Sequence, residues 1–185
     1  MKRFIVCLIF AGITAVMFGQ SDFYYSERGE KNYFKTRTDK MILRTGSAAE
    51  AKALSMDASF LSARVHTDVV TVTVDALRTN REVLMQRRGV TDAAYALESD
   101  DGILIYLKNQ IYVKFKDGLV PEEVLRKVGL IESVESILLS NPWSMGYRIR
   151  LNVKLGDILR ICRDLYESGL VKCAEPSSYY GNETA

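Results

Sequence analysis

The chain has 185 residues, of which 48% are hydrophobic and 26% are charged, and these are ordinary values for a globular protein. Its formal net charge of +2 gives no basic footprint, so we expect no nucleic-acid partner. With one histidine and three cysteines in the whole sequence, neither a histidine-rich metal site nor a disulfide scaffold is expected, and we predict no cofactor.

The N-terminus is typical of a secretory signal peptide. Lys2 and Arg3 form a basic region, residues 4–18 are an apolar run, and Gly19 precedes the polar Gln20. The apolar run is shorter than the roughly 20 residues that a membrane-spanning helix needs. We therefore predict a signal peptide cleaved near Gly19–Gln20, export to the periplasm or the extracellular space, and no membrane contact after cleavage.

The first half of the mature chain alternates short strands with short helices. Ser47 and Glu50 form a capping box, which marks the start of a helix. Valines at 70, 72 and 74 alternate with threonines, the period of a strand. The predicted elements are a strand at 41–44, a helix at 47–54, strands at 60–65 and 70–74, a helix at 78–87 and a strand at 93–97.

The second half shows the same order more clearly. Apolar residues at 111, 113 and 115 alternate with Tyr112 and Lys114, as in a half-buried strand. Pro121 suits the first position of a helix, and Gly129 suits the position after its end. The predicted elements are a strand at 111–115, a helix at 121–128, strands at 134–139 and 147–153, a helix at 157–168, and a strand at 170–174 that ends before Pro176.

Both halves thus follow the order β-α-β-β-α-β, which indicates a diverged internal duplication. We predict an α+β fold of tandem ferredoxin-like βαββαβ sandwiches, antiparallel sheets with helices on one face. The predicted organisation is a signal peptide (1–19), leader strands (20–38), a first unit (39–98), a connector strand (99–108), a second unit (109–176) and a C-terminal tail (177–185).

The residue types that hydrolysis or group transfer requires do not form clusters. His66 neighbours no cysteine and no carboxylate cluster, so a loop or edge-strand position is expected for it. The acidic pairs at 100–101 and 122–123 fit a turn and a helix start, respectively. We therefore predict that the protein is not an enzyme and has no catalytic or metal-binding residues.

Three segments of the second half carry a family resemblance: "NQIYVKFKDGLVPEEVLRKVG", "YRIRLNV" and "GDILRICRDLYESGLVKCAEPS". They resemble the N-terminal propeptide of secreted bacterial subtilisin-like serine proteases. The opening strand of that family is matched at 113–118, the end of its second helix at 165–171, and its exit motif at 174–176. The strongest resemblance covers about 109–176. Upstream, 23–44 and 95–110 are similar to the leader of larger members.

The sequence also departs from that family. Cys173 stands where an aromatic residue is usual, and Ser177 stands where asparagine or aspartate is common. The aspartate, histidine and serine motifs of the protease itself are absent from the sequence, so the chain is not predicted to be a protease.

The resemblance implies a non-catalytic exported protein that binds and inhibits, or chaperones, a subtilisin-like serine protease. In that family the propeptide sheet packs on the protease and the C-terminal tail enters the active-site cleft. The residues that the resemblance assigns to protease binding are Ala174, Glu175, Pro176, Ser177, Ser178, Tyr179 and Tyr180.

Two other interpretations stay open. The chain can be the remnant of a truncated protease gene, or an exported adhesion or assembly module that uses its sheets as interaction surfaces. The tail after Pro176 equally fits an ordinary frayed terminus. A disulfide bond between Cys162 and Cys173 is neither required nor excluded by the pattern.

Overall fold

The computed structural model describes residues 22–141 and 145–181. The predicted signal peptide (1–19) and the last residues of the predicted tail (182–185) lie outside these ranges. The fold is α+β: short helices pack on a sheet whose strand pairs, throughout the described ranges, are antiparallel. Within the same ranges, no helix combines the length and the apolar composition that crossing a membrane would require.

The first half contains a long strand that takes part in three strand pairings. The Ser47 side chain caps the helix that follows this strand, accepting the Glu50 backbone N–H at 3.3 Å, as the capping box predicts. The elements of this half are β1 (Asp22–Tyr25), β2 (Lys31–Thr45), α1 (Ala48–Leu54), β3 (Phe60–His66), β4 (Val69–Val74), α2 (Arg81–Met85) and β5 (Val90–Glu98).

Helix α2 is shorter than the helix predicted at 78–87. Residues 78 and 79 donate their backbone N–H groups to the Asp75 carbonyl and form a turn instead. Asn80 then starts the helix, because its side chain accepts the Val83 N–H at 2.9 Å. The start that the sequence predicts for this helix is thus too early by about one turn.

The second half has the same element order. The elements are β6 (Leu104–Phe115), α3 (Pro121–Lys127), a 3-10 turn (Ile131–Ser133), β7 (Val134–Asn141), β8 (Gly146–Leu151), a second 3-10 turn (Leu155–Asp157), α4 (Ile158–Glu167) and β9 (Val171–Gly181).

Strands β6, β8 and β9 differ from the sequence prediction, and β8 ends at Leu151 instead of residue 153. The predicted connector strand and the strand at 111–115 form one continuous strand, β6. The prediction that Pro176 ends the last strand is wrong, because β9 continues to Gly181. Proline has no N–H to donate and is tolerated beside bulges and on edge strands. Pro176 lies opposite Ile111, next to a register shift in the pairing with β6.

The strands form one sheet with the order β3-β4-β2-β5-β6-β8-β7, to which β1 adds beside β2 and β9 beside β6. Within it, the strands of the first half follow the order β5-β2-β4-β3, and those of the second half follow β9-β6-β8-β7. The two halves meet where residues 97–98 of β5 pair with 104–105 of β6.

Each half has a core on the side of the sheet that its helices cover. Burial of one large aliphatic side chain contributes about 1.5–3 kcal/mol to the stability of such a core. The core of the first half includes Met41, Leu43, Leu54, Val70, Val72 and Leu84. The core of the second half includes Ile111, Val113, Leu125, Ile149, Leu151, Ile158 and Leu165.

A third cluster lies on the opposite, helix-free face and joins the two halves. Its buried members are Ile42, Val69, Ala94, Ala96, Leu104, Tyr106 and Leu155, and Tyr179 packs against it. We call this cluster the concave core. It contains residues of both halves, so the helix-free faces of the two halves face each other.

The sheet is strongly curved around this concave core. Five strand spacings separate β3 from β9 along the sheet, which in a flat sheet is about 24 Å. Nevertheless, His66 of β3 and Tyr179 of β9 are stacked with ring centroids 4.4 Å apart. The helix-free face is therefore concave, and the helices lie on the convex side.

The predicted leader strands form a hairpin that packs on the second half, although β2 continues into the first. The Tyr25 and Tyr166 rings are stacked with centroids 4.5 Å apart, and the Tyr25 hydroxyl donates to the Glu167 carboxylate at 3.2 Å. Glu27 forms an ion pair with Lys114 at 2.9 Å. We call residues 22–34 the hairpin arm. It connects β2 of the first half with α4 and β6 of the second half.

Candidate functional site

The concave face contains a polar cleft between the two halves. It has a volume of about 790 Å³, and strands β2, β6, β8 and β9 supply much of its wall. Its polar lining includes Arg44, Lys108, Gln110, Arg150, Asn152 and Tyr179. We call this the concave cleft.

Strand alternation directs the cationic side chains into the cleft. Ile149 and Leu151 are buried in the helix-side core, so Arg150 between them points to the helix-free face. Leu43 is likewise buried on the helix side, and Arg44 follows it on the other face. The Arg44 guanidinium donates to the Val153 carbonyl at 3.3 Å, which anchors it in the cleft wall.

Among the described residues, no carboxylate pairs with the cations of the cleft. Although Asp68 and Glu135 also line the cleft, within the described residues no carboxylate oxygen lies within 4.0 Å of the charged nitrogens of Arg44, Lys108 or Arg150. The Lys108 ammonium lies 3.9 Å from the centroid of the Tyr179 ring, a cation–π contact.

Burial and neighbouring charge both act on Lys108. Its pKa is lowered from the ordinary value, first by burial and then by the positive charge of Arg148. The folded chain thus holds a half-buried ammonium near a second cation, with an aromatic ring as its compensating contact.

His66 packs against the cleft wall through Tyr179. Its ring is stacked on Tyr179 and its Nε2 atom lies 3.4 Å from the Thr71 hydroxyl oxygen. Burial lowers the pKa of His66, and the charges of Arg64 and Lys108 lower it further. It lies on the edge strand β3, where its contacts are those of a packing residue. The lowered pKa favours the neutral form of the imidazole.

The residues assigned to protease binding by resemblance all lie in β9. Ala174 is buried opposite Val113, and Glu175 lies opposite Tyr112. Burial and the charge of Glu27 raise the pKa of Glu175. Four other assigned residues also lie opposite residues of β6: Pro176 opposite Ile111, Ser178 opposite Leu107, Tyr179 opposite Tyr106, and Tyr180 opposite Ile105.

Residues 177–181 are therefore not a free tail in this structure. They extend β9 along β6, and Tyr179 is packed between the concave core, His66 and Lys108. Tyr180 differs from Tyr179, because it is 66% exposed. Of the assigned residues, Tyr180 is thus the aromatic side chain that a partner can reach without unfolding β9.

Cys162 and Cys173 are buried free thiols. Cys162 belongs to the helix-side core of the second half, whereas Cys173 lies opposite Lys114 on β9. Burial, with a smaller effect of Glu175, raises the pKa of Cys173 to about 11 and raises that of Cys162 further. Neither thiol has the thiolate character that a nucleophile needs.

No group of three or more histidine, cysteine, aspartate and glutamate side chains suited to a metal ion occurs in ranges 22–141 and 145–181.

The sequence did not reveal the concave cleft. Its polar residues lie on alternating positions of several strands, as on any solvated face. Only the curvature of the sheet brings them together.

Comparisons with protein-family models, with curated proteins and with solved structures found no match to this chain.

Proposed function

We propose that the chain comprises two ferredoxin-like units and that the second is a non-catalytic, propeptide-like module that binds a subtilisin-like serine protease. The observation that carries this proposal is the strand order β9-β6-β8-β7 of the second half, with α3 and α4 packed on one face. This is the arrangement that the motif resemblance at 109–176 implies. The matching order β5-β2-β4-β3 in the first half supports an origin by internal duplication.

The open edge of the second unit, strand β7, offers a surface for such a partner. Leu138 on this strand is 62% exposed and lies opposite Arg148 of β8. Leu139 and Met145 are also exposed nearby. Apolar side chains on an open edge strand suit binding by strand addition.

Inhibition through the tail requires a rearrangement of β9. Residues 177–181 must detach from β6 before they can enter an active-site cleft, because their backbone is already paired. Detachment costs the packing of Tyr179, whereas Tyr180 is already exposed. We therefore expect binding through the β7 edge to be separable from inhibition through the tail.

A reversible cross-link tests this mechanism. Ile105 and Tyr180 are paired across β6 and β9. Directly opposed Cβ atoms lie about 4.5–5.5 Å apart, close to the roughly 3.5–4.5 Å of a disulfide. The double variant Ile105→Cys, Tyr180→Cys, when oxidised, should still bind subtilisin but not inhibit it, and reduction should restore inhibition.

The matched controls are the reduced double variant, subtilisin alone with and without reductant, and trypsin as a serine protease of another family. Inhibition of peptide hydrolysis and binding by calorimetry are measured in parallel. Equal inhibition by the oxidised and reduced forms would exclude entry of the tail. Absence of binding by the unmodified chain to subtilisin-like proteases would remove the proposal altogether.

A second candidate function is an assembly module, and the paired state of residues 177–181 favours it. A chain whose tail is already part of its sheet needs no protease to order it. The edge strand β3 carries Leu61, which is 73% exposed, and Val65, which is also exposed. If β3 joins copies of the chain by edge pairing, analytical sedimentation will show oligomers. Leu61→Lys should dissociate these oligomers, whereas the control variant Arg78→Gln should not.

A further inference from the structure

We propose that the concave cleft binds a small anionic saccharide, a sugar that carries one phosphate, sulfate or carboxylate group. This inference is independent of the proposed protease partner, because it concerns the helix-free face between the two halves and not the β7 edge. Its volume of about 790 Å³ lies within the range of about 300–1,000 Å³ that is usual for small-ligand sites.

The cations provide the anion subsite. Arg44, Lys108 and Arg150 come from three different strands, and the sheet curvature brings them to one cleft. Asp92 lies opposite Arg44 in the sheet, but its carboxylate accepts the Leu155 N–H at 2.6 Å and lies 3.8 Å from Arg81. The Arg44 charge is thus left for another partner.

Half-burial makes an anion more favourable here than on an open surface. The Lys108 pKa is lowered by burial and by Arg148, which means that the protein groups around it compensate its charge incompletely. A bound anion would compensate that charge, and charge-assisted hydrogen bonds are the stronger class. The arginines can present paired N–H donors to a phosphate, sulfate or carboxylate group.

The remaining polar lining suits hydroxyl groups. Asn109, Gln110 and Asn152 supply amide donors and acceptors, and Asp68 and Glu135 supply acceptors for hydroxyl donors. The two carboxylates disfavour a long polyanion, because they would repel its additional charges. A single anionic group on a polyhydroxylated body satisfies both sets of side chains.

Calorimetric titration of the mature chain with defined probes tests the proposal. The probes are glucose 6-phosphate, glucuronate and N-acetylglucosamine 6-sulfate, with glucose and inorganic phosphate at equal ionic strength as controls. The expected result is that at least one anionic sugar binds at least 10-fold more tightly than glucose and than inorganic phosphate. Comparison among the three identifies the anionic group.

Variants then locate the site. Arg150→Gln and Arg44→Gln should each weaken binding of that sugar at least 5-fold, whereas Arg78→Gln should not, because Arg78 lies outside the cleft with an 85% exposed side chain. Asn152 is an exposed residue of the lining and follows the end of β8. Asn152→Ala therefore gives a third cleft variant, which changes no strand residue. It should also weaken binding.

The proposal would be overturned by no binding of any anionic sugar at about 10 mM, a concentration above a millimolar dissociation constant, by equal affinity for inorganic phosphate, or by unchanged affinity in all three cleft variants. A strongly salt-dependent preference for a long sulfated polymer over every small sugar would equally contradict it.

Discussion

The imidazole of His66 stacks on the ring of Tyr179, and this contact connects two edge strands of the curved sheet. The strands that carry them, β3 and β9, are not paired with each other. Side chains alone therefore close this side of the concave face. Burial and the charges of Arg64 and Lys108 all lower the pKa of this imidazole, so the stacked ring is favoured in its neutral form.

Acidification should weaken the fold through His66. Its folded-state pKa is below the ordinary value of 6.5 because of burial, Arg64 and Lys108, so the folded chain favours neutral imidazole. The contribution to stability is complete above pH 6.5 and is lost as the pH falls through the folded-state pKa. Urea unfolding between pH 7 and pH 5 should show a smaller decrease for His66→Phe, which keeps an aromatic ring against Tyr179. Equal pH dependence of the two proteins would contradict this prediction.

Asp92 should be important for the attachment of the two halves. Its buried carboxylate on β5 accepts the backbone N–H of Leu155, which precedes α4, at 2.6 Å. Asp92→Ala leaves that buried donor without a partner, and we expect a loss of about 1–3 kcal/mol in the free energy of unfolding. Asp92→Asn keeps an acceptor and should lose less.

Chemical denaturation measures both Asp92 variants, and Asp101→Ala, at an exposed turn position, serves as the control. If Asp92→Ala is as stable as the Asp101 variant, the hydrogen bond to Leu155 does not join the halves.

Gly29 should fix the turn of the hairpin arm. Its φ of 79° is in the left-handed region, and a Cβ atom there would lie 2.9 Å from the Tyr166 hydroxyl oxygen. Gly29→Ala should therefore reduce the free energy of unfolding by about 1–2 kcal/mol. Gly102→Ala is a matched control, because Gly102 has a φ of 76° with open space around it.

The difference between these two glycine variants isolates the contact with Tyr166, and adding Tyr166→Phe should reduce that difference. An identical loss in Gly29→Ala and Gly102→Ala would show that the hairpin arm is not packed as described.

The two buried thiols should be unreactive in the folded state. Burial raises the pKa of Cys173 to about 11 and that of Cys162 further, so at pH 8 neither has an appreciable thiolate fraction. Iodoacetamide labelling followed by mass spectrometry should modify neither residue in the native chain and both in guanidinium chloride. Rapid labelling of the native protein at either position would contradict the burial of that thiol.

The sequence by itself determined the features that depend on near neighbours along the chain. The capping box of Ser47 and Glu50 and the alternation at 111–115 are local, and the structure has the predicted helix start and strand there. The repeated β-α-β-β-α-β order follows for the same reason, because each element is specified by its own hydrophobic period. The α+β class was therefore accessible without coordinates.

Only the tertiary structure decided where β9 ends and where the cleft lies. Pro176 is a local stop, but pairing with a continuous β6 carries the strand past it to Gly181. The cations at 44, 108 and 150 look like separate solvated positions in the sequence. They meet because the sheet curves until His66 contacts Tyr179, and curvature depends on contacts between residues that are far apart in the chain.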